Sequence, residues 1–467
     1  MTLSDILECK IVINKTLSES DLNRMYIDQN ELWIGKDPHK KLNEKMVAEG
    51  FNAVNLLKYH NGTFYSKNGI IDDEGLKHDL WCSITDVDIL TDTERIVDKL
   101  FGACRLSATV PSIAINPNII PFANGNFYVD EWAFHVDEIT TVPYRFNVTL
   151  SGKVPETPYF NKWLNDLFEK EDQITLQEYL GYCLVPTTKC QKALFLVGEG
   201  GAGKSGMGVI LESLLGSADI NVPNTKEFLD NKFMLSELEH KLVLYDDDLD
   251  NSALENTGLY KKLITNNISI TADKKHAKPY KFIPKIKLVA CCNQMLTSAF
   301  DKTEGFYRRL LPLIIKPISE DFEPDHNFYD RLKEEAEGIA IWALFGLKRL
   351  IHNDWILFES QRTKTYMAAK RSDENHLPLF MEMSFIFDEN APGLHTKKII
   401  EVYREWCVKN AVTQLKDRTV QNWLSDNAEK YGIEKDYNLV VGDVRARGYK
   451  GLRTVDEVVK PIRIKLV

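Results

Sequence analysis

The sequence lacks an excess of basic residues, and this absence excludes one broad class of protein. Its 58 Lys and Arg residues are outnumbered by 68 Asp and Glu residues, which gives a formal net charge of −10. A chain that bound nucleic acid over its whole surface would be basic. Any contact with a phosphate backbone must therefore come from a local patch.

Paired cysteines, targeting signals and long hydrophobic runs are also missing. The eight cysteines form no CxxC pair and no His/Cys cluster with zinc-ligand spacing, which is typical of reduced, buried thiols and disfavours a disulfide scaffold or a zinc module. The first residues show no basic stretch followed by an apolar core, and no apolar run approaches the length that spans a bilayer. We therefore expect a cytoplasmic protein without a membrane partner, and 467 residues are enough for about three domains.

What the sequence has is a glycine-rich stretch between a predicted strand and a predicted helix. Five mostly apolar residues, Ala193 to Val197, predict a buried parallel strand, and a helical run ends near Leu215. Between them lie Gly198, Glu199, Gly200, Gly201, Ala202, Gly203, Lys204 and Ser205. The spacing Gly-x-x-x-x-Gly-Lys-Ser in this context predicts a phosphate-binding loop rather than a chance glycine-rich turn.

The residue types of this loop match the chemistry of phosphate binding. Glycines allow backbone N–H groups to approach phosphate oxygens closely, and the start of the following helix adds the positive end of its dipole. Lys204 adds a full positive charge, and the Ser205 hydroxyl can ligate Mg²⁺. The sequence therefore predicts that a nucleoside triphosphate and Mg²⁺ bind here.

A second motif follows one β–α unit later. Leu242 to Tyr245 predict a buried strand that ends in Asp246, Asp247 and Asp248. In a nucleotidase, one carboxylate at this place holds Mg²⁺ and another orients the attacking water; the alternative is a plain acidic turn. We assign Asp246 and Asp247 to these roles and keep Asp248 in reserve, and the sequence leaves open which of them binds the metal.

Two further elements complete the predicted catalytic set. Residues 287–292 predict another buried strand, and Asn293 at its end can contact the γ-phosphate or position its attacking water. Arg308 and Arg309 precede a further apolar strand, and one of them can act as an arginine finger on the γ-phosphate of a neighbouring subunit. The alternative for the arginines is pairing with local acids.

Lysine is concentrated between Tyr260 and Lys287, where Asp273 is the single acid. Residues 268–272 and 280–283 predict the two strands of a hairpin. Its tip carries Lys274, Lys275, His276 and Lys278. Such a tip suits a DNA backbone, because each neutralised phosphate releases counterions. The alternative is a solvated lysine-rich edge that protects the sheet against aggregation.

The region before the loop carries weaker signals. Residues 27–34 and 63–71 predict short strands with Asn-Gly turns. Asp86 and Asp88 form an Asp-x-Asp, which we interpret as a polar strand end before a helix rather than as the metal site of a primase. Apolar residues recur at helical spacing over 159–167 and 176–184, so we expect a small helical subdomain before the loop.

From about residue 371 the sequence predicts a separate unit. Residues 396–408 predict an amphipathic helix with Thr396 as its cap, residues 417–425 predict a second helix, and a basic β-like segment follows. This order is typical of a winged helix, in which the predicted DNA contacts are Arg418, Asn422, Arg445 and Arg447. The alternative is a domain that contacts protein.

Taken in chain order, these motifs resemble those of superfamily 3 helicases, in the branch of poxvirus-type and satellite-phage-type primase–helicases and of replication proteins of mobile elements such as pathogenicity islands. The similarity covers residues 110–320 best. It implies a modified AAA+ core, a hexameric ring that binds ATP and Mg²⁺ between subunits, and a Lys275–His276 pair that lines a channel for single-stranded DNA. Ala202 departs from the Asn that is usual in this branch. No primase domain precedes the core, so a separate primase would supply primers.

We therefore predict an α/β fold with a modified AAA+ P-loop NTPase core around a parallel sheet, a helical N-terminal preface and a C-terminal winged-helix-like domain. The predicted domains are 1–107 of unknown role, 108–191 as the helical preface, 192–370 as the ATPase core and 371–467 as the DNA-binding domain. The predicted function is an ATP-dependent DNA helicase and replication initiator of a mobile genetic element. The alternatives are an ATP-switched origin-binding or melting protein that does not translocate, and a nucleotide kinase, which would give the lysine hairpin no role.

Overall fold

The structure is a computed structural model with fourteen helices and nineteen strands among its described residues. It describes residues 9–13, 44–84, 93–113, 116–222, 225, 228, 231, 233–249, 257–265, 268–273, 279–295, 304–317, 325, 327–374, 376–388, 390–410 and 414–455. The chain forms two compact units, Met1–Thr363 and Lys364–Val467. Together these elements make a mixed α/β protein.

The first unit begins with helices packed on a small antiparallel sheet. The elements are α1 (Glu44–Val54), β2 (Lys58–His60), β3 (Thr63–Ser66), β4 (Gly69–Ile71), α2 (Asp73–Ile84) and α3 (Thr93–Ala108). The predicted Asn-Gly turn joins β2 to β3, with Asn61 at φ +48° and Gly62 at φ +82°, conformations that asparagine and glycine tolerate best. A core that includes Val47, Phe64 and Leu100 holds these elements together.

A four-stranded sheet follows, and the sequence did not predict it. Strands β5 (Ile119–Phe122), β6 (Gly125–Tyr128) and β7 (Ala133–Val136) form an antiparallel meander, and β1 (Lys10–Ile13) pairs parallel to β7. The preface predicted to be helical over 108–191 is therefore a sheet in its first part. Each of these strands has only four residues, which is too short for a clear alternation of apolar and polar residues.

The helical part of the preface forms where it was expected. Helices α4 (Pro158–Leu167) and α5 (Lys170–Cys183) lie against α9 (Phe328–Glu334) and α10 (Ala336–His352). Gly181 and Gly346 allow α5 and α10 to approach closely. A Cβ at Gly181 would lie 2.5 Å from the backbone nitrogen of Leu347, and a Cβ at Gly346 would lie 2.7 Å from the backbone nitrogen of Glu178. The Glu335 carboxylate accepts hydrogen bonds from the backbone N–H groups of Tyr159 and Phe160 and so caps the start of α4.

A five-stranded parallel sheet forms the centre of the first unit. Its strands are β8 (Ala193–Val197), β9 (Asp219–Asn221), β10 (Val243–Asp246), β13 (Lys287–Cys292) and β14 (Leu310–Ile314). Their order is β14-β8-β13-β10-β9, and every pair is parallel. The parallel sheet and its strands at 193, 243, 287 and 310 are confirmed. These strands are continuous apolar runs because both faces of such a sheet are covered.

Several shorter elements connect or flank these strands. They are α6 (Gly206–Leu215), two 3₁₀ turns (Gly216–Ala218 and Met234–Leu238), α7 (Thr257–Ile264), β11 (Ile270–Ala272), β12 (Tyr280–Phe282), α8 (Glu304–Tyr307) and α11 (Gln361–Glu374). Helix α6 begins where the glycine-rich loop ends. The sheet and α6 share one large hydrophobic core with α4, α5 and α10.

The second unit has its own core and two small sheets. Its elements are α12 (Leu377–Ser384), β15 (Phe385–Phe387), β16 (Leu394–His395), α13 (Thr396–Lys409), α14 (Asp417–Asn427), a 3₁₀ turn (Glu429–Tyr431), β17 (Glu434–Val441), β18 (Val444–Lys450) and β19 (Leu452–Thr454). Strand β15 pairs with β19, and the other sheet has the order β16-β18-β17. Both predicted helices and the β-like segment are confirmed. Thr396 is the first helical residue and His395 the N-cap, without a side-chain capping bond, so the predicted Thr396 cap is wrong.

The strand predicted at 27–34 and the Asp-x-Asp of Asp86 and Asp88 lie outside the described residues. Within the part of the chain that the structure describes, no helix combines the length and the apolar character that a membrane crossing requires.

Candidate functional site

The glycine-rich loop lies at the carboxyl edge of the parallel sheet. It follows β8, which has β13 on one side and β14 on the other. The chain leaves β8 for β9 at the far edge, returns through β10 and β13, and then passes to β14 on the opposite side of β8. Such a reversal in strand order opens a crevice beyond the strand ends, where ligands of open α/β sheets bind.

The backbone conformation and the close packing of the loop require glycine at several positions. Gly201 and Gly203 have φ values of +79° and +86°, a region that other residues enter only with strain. A Cβ at Gly198 would lie 2.7 Å from Cβ of Ile315. The loop is fixed from two sides, because Gly198 N donates to Cys292 O at 3.1 Å and Nε1 of Trp163 donates to Gly203 O at 3.0 Å.

The Lys204 amine lies inside the curve of this loop. Its Nζ donates hydrogen bonds to the carbonyl oxygens of Gly198 and Glu199, at 2.5 and 2.8 Å, and lies 3.4 Å from Oδ1 of Asn293. The residue is 9% exposed. Three oxygens of the loop and of the neighbouring strand end therefore hold one cationic group where a phosphate would meet it.

Ser205 and Asp247 are brought together by two neighbouring elements. Oγ of Ser205, directly before α6, donates to Oδ2 of Asp247, directly after β10, at 3.0 Å. The other carboxylate oxygen, Oδ1, accepts a hydrogen bond of 2.5 Å from the Tyr245 hydroxyl. The carboxylate is thus held at both oxygens, and its side chain is exposed at the crevice.

Asp246 and Asp248 have other surroundings. Asp246 is 1% exposed, and its Oδ2 accepts hydrogen bonds from the backbone nitrogen and the hydroxyl of Thr225, at 2.8 and 2.6 Å. Its Oδ1 accepts from the Asp248 backbone nitrogen at 3.2 Å. Asp246 therefore anchors Thr225 and shapes the turn, whereas Asp247 and Asp248 are exposed beyond the strand end.

The Ser205–Asp247 pair fits the ligand set of a magnesium ion that also takes phosphate and water oxygens. Mg²⁺ prefers octahedral oxygen ligands at about 2.1 Å, which places adjacent ligands about 3.0 Å apart, and the two side-chain oxygens are separated by this distance. Among the residues that the structure describes, no group of three or more His, Cys, Asp or Glu side chains could hold a metal ion alone. A metal at this place would depend on the nucleotide for the rest of its ligands.

The two predicted arginines lie at the amino-terminal ends of the strands, the amino edge of the sheet. Leu310 pairs with Ala193 at the first residue of β8, and Ala193 N donates to Arg309 O at 2.8 Å. The five residues of β8 separate this edge from the loop by about 16 Å. Neither arginine can therefore reach the glycine-rich loop of its own chain.

Arg308 and Arg309 also differ from each other. The Arg309 guanidinium is buried, donates to the Gly305 carbonyl and donates to Oγ1 of Thr265 at 3.0 Å. Arg308 is exposed. Arg309 thus holds its own segment together, and Arg308 is the arginine that is available to another molecule.

The lysine-rich segment forms the predicted hairpin, although its tip lies outside the described residues. Strands β11 and β12 pair antiparallel, with Ile270 opposite Phe282 and Ala272 opposite Tyr280. The predicted DNA-contact residues Lys274, Lys275, His276 and Lys278 belong to the tip.

One lysine of this segment is not available to DNA. Lys287 is 1% exposed, its Nζ donates to Val185 O at 2.6 Å, and burial lowers its pKa to about 8.

The predicted DNA contacts of the C-terminal unit are at its surface. Arg418 and Asn422 are exposed on α14, one helical turn apart, while Val420 and Leu424 of the same helix are buried. Arg445 and Arg447 are exposed on β18. The helix thus presents one polar face away from the core, as an i, i+4 spacing requires.

Three contributors to the site escaped the analysis of the sequence. Tyr245 and Cys291 were assigned only to buried strands, and Trp163 only to a helix. In the structure the Tyr245 hydroxyl also lies 3.4 Å from Sγ of Cys291, and that sulfur contacts Lys204 O at 3.7 Å. The one available signal was the tyrosine itself, since a buried hydroxyl needs a hydrogen-bond partner.

Comparisons with known proteins give a family match and a fold. The model of a family of unknown function (DUF5906) matches residues 196–309, and no curated protein matches the chain. The A form apo structure of the NrS-1 C terminal region is similar, with a TM-score of 0.50 and 12% identity over 85% of this chain and 95% of that one. A second A form apo structure of that region has a TM-score of 0.49 and 12% identity, over 88% and 99%. At this identity the similarity shows a shared fold.

Proposed function

We propose that this chain is an ATPase that uses the energy of ATP hydrolysis to move along and unwind DNA during replication, as a member of the AAA+ class. The observation that carries the proposal is the meeting of Lys204, Ser205, Asp247 and Asn293 around one glycine-rich loop at the carboxyl edge of the parallel sheet. These are the residue types that phosphoryl transfer requires.

Each of these residues has a role that follows from its position. The loop amides and Lys204 bind the β- and γ-phosphates, which replace the carbonyl oxygens around the amine. Ser205 and Asp247 would hold Mg²⁺, which would neutralise charge on the phosphates. Asn293, on the Lys204 side of the crevice, can contact the γ-phosphate. The exposed Asp248 would orient the attacking water.

The position of Arg308 supports a site shared between subunits. It is exposed at the amino edge of the sheet, remote from its own loop, so it can complete only the site of another copy of the chain. A closed ring, here a hexamer, gives every loop such an arginine from its neighbour. A finger that acts in trans couples hydrolysis to the arrangement of the subunits.

DNA contact is assigned to two surfaces. The β11–β12 hairpin would place its lysine-rich tip against a single strand in the ring. The second unit has the order of a winged helix, with a strand before α13 and α14 and a β17–β18 hairpin after them. We propose that α14 enters the major groove of duplex DNA at an origin through Arg418 and Asn422.

The test is hydrolysis and strand displacement by the full chain. We expect ATP hydrolysis that single-stranded DNA stimulates, and loss of hydrolysis and unwinding in Lys204→Ala. Lys162→Ala is the matched control, because this lysine forms an exposed ion pair with Asp166 on α4 and has no role in the site. Unwinding that persists in Lys204→Ala would refute the proposal.

Two other outcomes would select other functions. ATP-dependent DNA binding without strand displacement would indicate an ATP-switched origin-binding or melting protein. Phosphoryl transfer to a nucleoside, without stimulation by DNA, would indicate a kinase.

A further inference from the structure

The β17–β18 hairpin contains a bulge that turns one aromatic side chain outward. The pairing register shifts by one residue between Asp436 and Leu439, so Tyr437 and Asn438 on β17 lie opposite the single residue Arg447 on β18. The Asp436 carboxylate fixes this bulge, because Oδ1 accepts the Asn438 backbone N–H at 2.8 Å and Oδ2 pairs with the Lys450 amine at 2.9 Å. The hydrogen bond from Lys450 lowers the pKa of Asp436. Bulges re-aim side chains in this way and occur next to functional sites.

The side chain that the bulge presents is Tyr437, and it is 61% exposed. Two cations lie over its ring, with Nζ of Lys435 5.4 Å and Cζ of Arg447 5.7 Å from the ring centroid. Tyr449 of the same hairpin is 2% exposed and belongs to the core. The hairpin therefore uses one tyrosine for packing and keeps another in solvent between positive charges.

An exposed aromatic ring between cations matches the chemistry of single-stranded nucleic acid. The ring can stack on the face of an unpaired base, and the cations can neutralise the phosphates on either side of that base. In duplex DNA the base faces are stacked on one another, so a duplex backbone would use the cations but not the ring. Arg445, which is exposed on β18 like Arg447, adds a third positive charge.

We propose that Tyr437 stacks on an unpaired base of single-stranded DNA and that Lys435 and Arg447 bind the adjacent phosphates. This site goes beyond the proposed function, because it requires neither ATP nor the glycine-rich loop. It also gives the hairpin a contact with bases, where the winged-helix interpretation gives it only duplex phosphates.

The first test locates the contact directly. The full-length protein, without ATP, is irradiated with a short single-stranded oligonucleotide that carries 5-iododeoxyuridine, which crosslinks to a stacked aromatic ring. We expect mass spectrometry to find the crosslink on Tyr437. Tyr437→Phe should keep it, since the ring remains, and Tyr437→Ala should lose it.

The second test measures affinity for the same oligonucleotide by fluorescence anisotropy. Loss of one base stack predicts about tenfold weaker binding by Tyr437→Ala and near-normal binding by Tyr437→Phe. Val444→Ala is the matched control, because Val444 is 58% exposed on the same hairpin and has no ring to stack. Arg447→Gln should lower the slope of log affinity against log salt by about 0.7, the value for one phosphate of a single strand.

Two results would overturn the proposal. One is a crosslink pattern that omits Tyr437 in a protein that binds the oligonucleotide. The other is equal weakening of single-stranded and duplex binding by Tyr437→Ala, because a duplex offers no unpaired base. Circular dichroism of each variant verifies its fold. Because no arm of either test uses ATP, failure here would leave the proposed ATPase untouched, and an inactive ATPase would not affect this site.

Discussion

The Tyr245 hydroxyl donates a hydrogen bond of 2.5 Å to Oδ1 of Asp247, two residues further along the chain. Burial raises the pKa of Tyr245, so the hydroxyl keeps its proton and remains a donor. With Oδ1 held in this way, Oδ2 is directed at Ser205. A tyrosine on the buried strand thus orients the carboxylate proposed to bind the metal.

The first prediction is that Tyr245→Phe weakens the use of Mg²⁺. The substitution removes one hydrogen bond to a charged group, which is worth about 1.5 kcal/mol or more, or about tenfold in an equilibrium constant. We expect the Mg²⁺ concentration for half-maximal ATP hydrolysis to rise about tenfold, while nucleotide binding in the absence of Mg²⁺ changes little. A magnesium titration of hydrolysis measures this.

Tyr179→Phe is the matched control for that variant. Tyr179 is also fully buried, and its hydroxyl contacts Lys192 O and Leu288 O, each at 3.0 Å, at the amino edge of the sheet. It should lose stability without a change in magnesium dependence. An unchanged magnesium dependence of Tyr245→Phe would show that Asp247 needs no support from Tyr245.

The second prediction concerns the space that Tyr245 occupies. Gly208 lies inside α6, where replacement of glycine by alanine normally stabilises a helix by about 1 kcal/mol. Here a Cβ would lie 2.5 Å from Cε1 of the buried Tyr245 ring, so we expect Gly208→Ala to destabilise the protein by about 1–3 kcal/mol. Thermal or urea unfolding measures the sign.

Gly200→Ala supplies the comparison, because a Cβ at Gly200 meets no atom of the described residues within 4 Å. Its free energy of unfolding should stay close to that of the unchanged protein. A stabilised Gly208→Ala would mean that the Tyr245 ring can move away, and it would weaken the case for a fixed Tyr245–Asp247 pair.

The sequence predicted the parallel sheet well because its strands are uniform. Strands such as β8 and β13 are continuous apolar runs, and each is followed by residues of a recognisable chemical type, Gly198 to Ser205 or Asn293. A pattern of this kind depends only on neighbours in the chain. It can therefore be recognised without knowledge of the tertiary structure.

The sequence could not predict which side chains meet across the sheet. Asp246, Asp247 and Asp248 cannot be told apart in the sequence. In the structure, Thr225, remote in the chain, donates two hydrogen bonds to Oδ2 of Asp246, whereas Ser205 and Tyr245 donate to the two oxygens of Asp247. Arg308 and Arg309 likewise differ because the Arg309 guanidinium donates to the Gly305 carbonyl and to Thr265. Such distinctions depend on which backbone groups are left without partners, and only the folded chain decides this.

The third prediction is a loss of stability as pH rises, caused by Asp219. Burial raises the pKa of Asp219 to about 7, against the attraction of Lys241 and with a contribution from Glu212. Its buried Oδ1 has no hydrogen-bond partner among the described residues. Because the folded pKa lies above the unfolded value near 3.8, the folded state binds more protons between these values. Its stability therefore falls as pH rises from about 4 to about 7.

Asp219→Asn tests this assignment, since asparagine is neutral at every pH. We expect the stability of the variant not to fall in this way. The melting temperature of the variant, relative to that of the unchanged protein, should therefore rise as pH rises from 4 to 8. Asp330→Asn, on an exposed carboxylate of α9, should follow the unchanged protein. Parallel curves for Asp219→Asn and the unchanged protein would place the titration elsewhere.

The fourth prediction separates the two arginines by stability and by turnover. Arg309→Ala removes hydrogen bonds to Gly305 and Thr265 and should destabilise the fold by about 1–3 kcal/mol. Arg308→Ala changes an exposed side chain and should alter stability by less than about 0.5 kcal/mol. If Arg308 is the finger, its loss should lower the turnover of ATP about 10³-fold or more.

A mixing experiment decides whether Arg308 acts on a neighbour. Arg308→Ala subunits keep an intact loop, and Lys204→Ala subunits keep an intact arginine, so each protein alone is inactive. In a mixed ring, the loop of the first kind can meet the arginine of the second kind, which completes one functional interface. Hydrolysis by the mixture that exceeds the sum of the separate proteins is therefore expected. No gain on mixing would show that Arg308 does not act in trans, because the distance along β8 already prevents it from acting on its own loop.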